Sequence, residues 1–262
     1  MVKQVNVSVV MPAYNAINYI ERTILSLQQQ SHKNWELIVV DDCSNDGTRE
    51  LVTRISQDDD RITVIPLKKN FGGPAGPRNV GVENARYDFI AFLDSDDIWH
   101  PQKLEHQIRL IDVNSENFIC SSMVDFADDS TIEFPKFPRI SVRNVDFFSQ
   151  SFRAKIPTSS VLLSQSLASR FPFEVSPAYK AVEDFHCWLR ILDSGVVCKK
   201  IKQPLLYYRK SEGQISASKF KMMKKVFMVH KNYNERGPLA SFLFTASHVL
   251  GGVYFRFFKK GM

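Results

Sequence analysis

Along its first hundred residues the chain alternates between two hydrophobic periods. Short runs rich in β-branched residues, 5–10 and 37–40, fit strands buried on both faces. Between them, "NYIERTILSLQQQ" (18–30) puts Ile20, Ile24 and Leu27 on one helical face, with Asn18 and Glu21 at capping-box spacing. A second helix is predicted from "SNDGTRELVTRI" (44–55), with Ser44, Asn45 or Asp46 as its cap. Residues 62–65 and 89–93 read as the third and fourth strands, the latter after a helix that begins near Arg78. Strand–helix–strand alternation of this kind predicts an α/β fold, a mostly parallel sheet flanked by helices.

After Trp99 the pattern changes. Pro101 opens a helical stretch, "PQKLEHQIRLI", and shorter strands with many aromatics and prolines follow to about residue 180. "EDFHCWLRILDSG" (183–195) is again helical, with Phe185, Trp188, Leu189 and Leu192 as its apolar face and Gly195 beyond its C-terminus. There is no internal repeat and no low-complexity linker, so the two halves are expected to share one sheet.

Charge adds an asymmetry. The net +6 divides into −6 for residues 1–198 (20 Lys+Arg, 26 Asp+Glu) and +12 for residues 199–262 (14 Lys+Arg, 2 Asp+Glu). A basic tail on an acidic body suggests an anionic partner, or else a solvated lysine-rich helix face. The four cysteines form no CxxC pair, which argues against zinc and for reduced thiols in a cytosolic setting. The strand-like "VNVSVVM" begins so early that it leaves no room for a signal peptide.

The chemistry concentrates where strands end. Asp41 and Asp42 close the second strand, and Asp94, Ser95, Asp96 and Asp97 follow the fourth. Ligands of parallel sheets bind beyond the carboxyl ends of the strands, so both acidic clusters would open into one crevice. Either cluster alone is what an ordinary turn would use; two on one rim point to a site. The Asp94-Ser95-Asp96 spacing suits a hard divalent cation, which takes one or two carboxylates and completes its shell with water and phosphate oxygens.

These segments together resemble the inverting glycosyltransferases of family 2, with the GT-A nucleotide-diphospho-sugar transferase fold. The resemblance rests on "VSVVMPAYNA" (7–16), "ELIVVDDCSNDGT" (36–48), "GPRNVG" (76–81), "FIAFLDSDDIWHPQKLE" (89–105) and "EDFHCWLRI" (183–191), in that order. "PLLYYRKSEGQIS" (204–216) looks like the family's closing segment. It implies a nucleotide-sugar pocket lined by Pro12, Tyr14 and Asn15, with Asp42 accepting from a pyrimidine N–H and Arg78 approaching the phosphates. Tyr14 could equally be a core aromatic. Asp94 and Ser95 would border the donor, and Asp96 would hold Mn²⁺ or Mg²⁺. Asp184, of the "ED" pair, would be the base; the structural alternative is that Glu183 and Asp184 only cap their helix. Asp97 completes the acidic pattern. Many relatives have histidine after "YR", where this chain has Lys210, so Arg209 or Lys210 would instead contact phosphate. Arg86, where the family often has glycine, reads as a surface change.

The implied activity is transfer of a sugar, with UDP-sugar the expected donor, to a polyprenyl-diphosphate-linked saccharide in O-antigen or capsule synthesis. The expected organisation is a catalytic domain over residues 1–216 (1–99 for the nucleotide-sugar, 100–216 for the acceptor) and a basic tail over 217–262. In the tail, "FKMMKKVFMVHK" is basic and amphipathic, and residues 238–260 are apolar over a spanning length but diluted by polar residues and glycines. Interfacial attachment to an anionic inner-membrane surface, facing the cytoplasm, is favoured over a true span; the alternative is packing back onto the domain. A sugar-phosphate nucleotidylyltransferase would need a Gly-rich loop after the first strand, and "MPAYNA" is not one. A nucleic-acid partner is disfavoured because the acidic body would repel a polyanion.

Overall fold

The computed structural model describes residues 5–210, 219–231, 237, 239 and 241–247. The last residues of the expected closing segment and most of the apolar tail lie outside these. Strands β1 (Val7–Ala13), β2 (Trp35–Asp41), β3 (Ile62–Pro66) and β4 (Phe89–Phe92) alternate with helices α1 (Ile20–Gln28), α2 (Thr48–Asp58) and α3 (Ala75–Glu83). The remainder comprises β5 (Ile98–Trp99), α4 (Lys103–Ile108), β6 (Phe118–Phe126), β7 (Val142–Val145), α5 (Phe147–Phe152), β8 (Leu162–Ser164), α6 (Gln165–Arg170), α7 (Glu183–Asp193), β9 (Cys198–Arg209) and α8 (Lys219–Lys231).

All nine strands join one sheet of order β3-β2-β1-β4-β8-β6-β9-β5, with β7 pairing to β9. The first four are parallel, as alternation predicts. Beyond β4 the sheet turns mixed: β8 runs antiparallel to β4 and to β6, and β6 runs parallel to β9. The two halves therefore share one sheet. β1 and β2 are buried along their whole length, which is why their sequences are nearly continuous apolar runs. The polar residues among them are paired. Ser8 Oγ donates to Glu36 (2.6 Å), and Glu36 also accepts from the Arg86 backbone N–H (2.9 Å) and guanidinium (2.7 Å). Arg86 thus neutralises a buried carboxylate and is more than surface variation.

Gly81 lets α3 approach the sheet closely, since a β-carbon there would lie 2.3 Å from Val10. α7 buries Phe185, Trp188, Leu189 and Leu192 as expected, and Gly195 follows it with φ +92°. The start of α1 differs from expectation. Tyr19, not Asn18, precedes the helix, with no side-chain cap. The backbone turns instead, Tyr19 and Ile20 N–H both donating to the Ala16 carbonyl (2.9 Å each). Before α2, Gly47 occupies the cap position in a left-handed conformation, and Asp46 accepts from the Thr48 backbone and hydroxyl.

α8 packs onto the body. Val226 and Val229 join the core cluster that holds Phe185, Trp188 and Leu189, and the His230 ring meets Phe185. The thiols of Cys120 and Cys198, distant in sequence, lie 3.5 Å apart on neighbouring strands without a disulfide.

Candidate active site

The carboxyl ends of β1, β2 and β4 form one rim. The Asp42 N–H donates to the Ala13 carbonyl (2.8 Å), locking the first two ends together. Asn15 takes a positive φ of 49°, which asparagine tolerates better than most residues. Its N–H donates to Ser44 Oγ (3.0 Å) and its side chain accepts from the Asn45 N–H (2.9 Å). Pro12 is buried at the end of β1, and Tyr14 is 54% exposed above it. Tyr14 is therefore no core aromatic.

Asp42 sits under the segment that precedes α3. The Phe71 N–H donates to its Oδ1 (2.8 Å), and the Asn70 amide donates to its backbone carbonyl (2.6 Å). Burial raises the pKa of Asp42, and the Phe71 and Gly72 backbone N–H groups offset the rise only in part. Gly76 is required here, because a β-carbon would lie 2.2 Å from the Phe71 ring.

Arg78, on α3, is 3% exposed and lies between two carboxylates: 2.6 Å from Asp94 and 3.5 Å from Glu183. It binds the end of β4 to the start of α7. In this arrangement its guanidinium orients the acidic groups around it. Burial, followed by the Asp184 charge, raises the pKa of Glu183, with Arg78 opposing.

The acidic run after β4 is divided by its surroundings. Asp97 is buried and accepts from the Arg209 backbone N–H (3.1 Å), so it ties the turn to β9. Burial, then the charges of Asp96 and Asp94, raise its pKa well above the ordinary range. Arg209 donates to the Asp96 carbonyl (2.9 Å), pairs with Asp129 and stacks on Tyr19 and Phe126. Lys210 pairs with Asp125 at the surface. Both basic residues of the closing segment are thus engaged with protein groups. The Ser95 carbonyl accepts from Thr23 Oγ1 (3.0 Å).

Asp96 is the carboxylate left in tension. Its pKa is pushed up to about 6, first by burial and then by the Asp94 charge. A carboxylate so placed is short of positive charge, which a hard divalent cation supplies. Among the described residues no group of three His, Cys, Asp or Glu side chains could hold a metal alone.

Asp184 stands in the first turn of α7. Its Oδ2 accepts from Thr158 Oγ1 (2.9 Å) and its Oδ1 from the Phe185 N–H (2.6 Å). Thr158 precedes Ser159, whose Oγ accepts from the Asp94 N–H (3.0 Å). One short segment therefore holds the Asp184 carboxylate and the Asp94 backbone. Sequence reasoning missed Thr158, Ser159 and Tyr208. The Tyr208 phenol pKa is raised by burial and by the charges of Asp97, Asp94, Asp96 and Asp184, so it lies within their common field. Its only sequence signal was that it is the Tyr of the "YR" in the closing segment.

The glycosyl transferase family 2 model matches residues 8–174. TuaG of Bacillus subtilis (strain 168), a putative teichuronic acid biosynthesis glycosyltransferase, is 34% identical over 86% of this chain and 87% of its own. WfgD of Escherichia coli, a UDP-Glc:alpha-D-GlcNAc-diphosphoundecaprenol beta-1,3-glucosyltransferase, is 33% identical over 94% of this chain and 93% of its own. The fold matches that of S. aureus TarS 1-349 in complex with UDP, with a TM-score of 0.65 at 22% identity; the match covers 87% of this chain and 66% of that one. With the family match running through both acidic clusters and onto the sheet that carries them, this chain belongs to glycosyl transferase family 2 and has the GT-A fold.

Proposed function

We propose that this chain transfers a sugar, with inversion, from a nucleotide-diphospho-sugar of the UDP class to a hydroxyl of a polyprenyl-diphosphate-linked saccharide during synthesis of a bacterial surface polysaccharide. The observation that carries the reading is Asp184. It is a carboxylate held by Thr158 at a helix N-terminus, tied through Thr158–Ser159 to the Asp94 strand end. The names of WfgD and TuaG support the acceptor class.

Asp184 takes the proton of the acceptor hydroxyl as that oxygen attacks the anomeric carbon from the side opposite the leaving nucleotide. Tyr14, Pro12 and Asn15 line the base and ribose pocket, and Asp42 accepts from the base. Arg78 keeps Asp94 aimed at the donor, and Ser95 borders it. Mn²⁺ or Mg²⁺ would be held by Asp96, and when bound it stabilises negative charge on the departing nucleotide diphosphate.

Residues 1–216 carry the catalytic groups, α8 packs against them through Val226 and Val229, and the membrane-associating part of 217–262 is the segment beyond α8. No helix among the described residues is long and apolar enough to cross a membrane. Leu239 (71%), Phe242 (62%) and Leu243 (53%) are exposed beside the packed Phe244, which supports peripheral attachment at the inner face of the inner membrane. The test is a donor screen scored by released nucleotide with the lipid-linked acceptor present, followed by NMR of the product anomeric proton. An α-linked donor should yield a β-linked product, and retention would rule out the single-displacement mechanism.

A further inference from the structure

Away from this rim, four cations converge on β7, the end of α5 and β9. Arg143 and Lys200 are direct partners across the antiparallel β7–β9 pair. Like charges placed so are unfavourable in a sheet. Lys200 is only 2% exposed, and its ammonium donates to the Lys155 carbonyl. Arg153 ends α5 two residues before Lys155. Neither Arg143, Lys155 nor Lys200 forms an ion pair with a carboxylate among the described residues. Burial lowers the pKa of Lys200, with Arg143 and Arg153 adding to it against the opposing Cys120 and Cys198 thiols, and Lys155 is lowered by burial and by the same arginines despite Asp146. A buried ammonium facing further cations is costly unless an anion joins them.

Two further features say which anion. Phe148 and Phe152, on α5 just before Arg153, each touch the Phe244 ring on one side and still leave 58% and 48% of their surface exposed. An apolar ridge beside a phosphate-sized concentration of charge fits a phosphate carried on a hydrocarbon. The chain then runs from Lys155 to Thr158, the partner of Asp184, in three residues, a span of at most about 11 Å. A partly enclosed cluster so near the base suits a discrete acceptor better than a flat leaflet.

We propose that Arg143, Arg153, Lys155 and Lys200 bind the diphosphate of the lipid-linked acceptor, with its hydrocarbon chain lying along Phe148 and Phe152. This inference rests on the acceptor class given above. It assigns the cluster the task of presenting the saccharide hydroxyl to Asp184.

The test titrates farnesyl diphosphate, inorganic pyrophosphate, UDP and phosphatidylglycerol vesicles against full-length protein and the Arg143→Gln/Lys155→Gln variant, with thermal melts as a fold control. Arg143 is exposed and Lys155 partly so, which spares the core. Farnesyl diphosphate should bind the variant at least about tenfold more weakly, with UDP affinity kept and Lys155→Arg restoring most of the loss. With lipid-linked acceptor, KM should rise more than kcat falls. Unchanged farnesyl diphosphate affinity would overturn the site. Equal loss of vesicle binding would make it a general lipid contact and overturn the assignment too. Pyrophosphate binding as tightly as farnesyl diphosphate would remove the ridge. Cluster-dependent binding without transfer to any polyprenyl-diphosphate saccharide would sustain the site and overturn the functional reading alone.

Discussion

Thr158 and Asp184 form a directed pair. The Trp188 indole N–H donates to Thr158 Oγ1 (3.4 Å), so the threonine proton is free to point at Asp184 Oδ2 (2.9 Å). The carboxylate is thereby turned to a fixed orientation while keeping lone pairs for an incoming hydroxyl. Asp184→Asn should lower kcat by about 10²–10⁴ and leave UDP affinity within a few-fold. Thr158→Val should lower kcat less, leaving the donor KM near that of the unmodified chain. Steady-state kinetics with nucleotide release check both, and equal losses in kcat and UDP binding would make Asp184 a structural cap.

Arg78 pairs with two carboxylates, the half-buried Asp94 and the buried Glu183. Removing it leaves Glu183 buried and uncompensated, a change that costs about 3–5 kcal/mol. Arg78→Ala should therefore lower the melting temperature by roughly 10 °C, and adding Glu183→Gln should recover part of that. Thermal melts of the single and double variants decide it. A double variant no more stable than Arg78→Ala would show that the ion pairs contribute little.

Asp96 sets a pH window. Its folded pKa of about 6 lies above the ordinary 3.8, so the fold holds this proton more tightly than the unfolded chain does. Its contribution to stability is fully present below 3.8 and lost as pH rises through about 6. A cation that needs the ionised carboxylate should then raise the melting temperature at pH 7.5 and do little at pH 5, where roughly a tenth is ionised. Asp96→Asn should melt higher than the unmodified protein at pH 7.5 without metal and lose the response to Mn²⁺. A Mn²⁺ response equal at both pH values would remove Asp96 from the cation site.

For the tail, full-length protein should sediment with anionic vesicles and be partly released by high salt, since screening weakens the basic contribution. A chain ending at Gly237 keeps α8, with Val226 and Val229 in the core, and should stay folded. It should bind vesicles less and still use a water-soluble acceptor analogue. An unfolded truncation would make residues beyond Gly237 part of the core.

Much of this was legible in the sequence, for identifiable reasons. β1, β2 and β4 announced themselves because strands covered on both faces can hardly admit polar residues, and their ends carried the acidic clusters directly. The cap of α1 was not legible. Asn18 has the right chemistry, but the Ala16 carbonyl takes the N–H groups of Tyr19 and Ile20, so the turn is made by backbone. Thr158 and Tyr208 were missed because their roles depend on partners brought close only by the sheet. Arg78 was expected near the phosphates, but its two carboxylate partners, 16 and 105 positions away, are brought to it only by the fold. Arg143 and Lys200 meet only through the β7–β9 register, and no spacing in the chain foretells that pairing.

The grip of β9 on the acidic run has a consequence for synthesis on the ribosome. Asp97 receives its hydrogen bond from Arg209, 112 positions later in the chain, and the same arginine holds the Asp96 carbonyl. A nascent chain can pair β1, β2, β3 and β4 as they emerge, but the turn after β4 stays unclamped until the last residues of β9 are free to dock. Contacts of such long sequence separation form late. The turn that carries Asp96 is thus finished only after the 112 residues that separate Asp97 from Arg209 have been made.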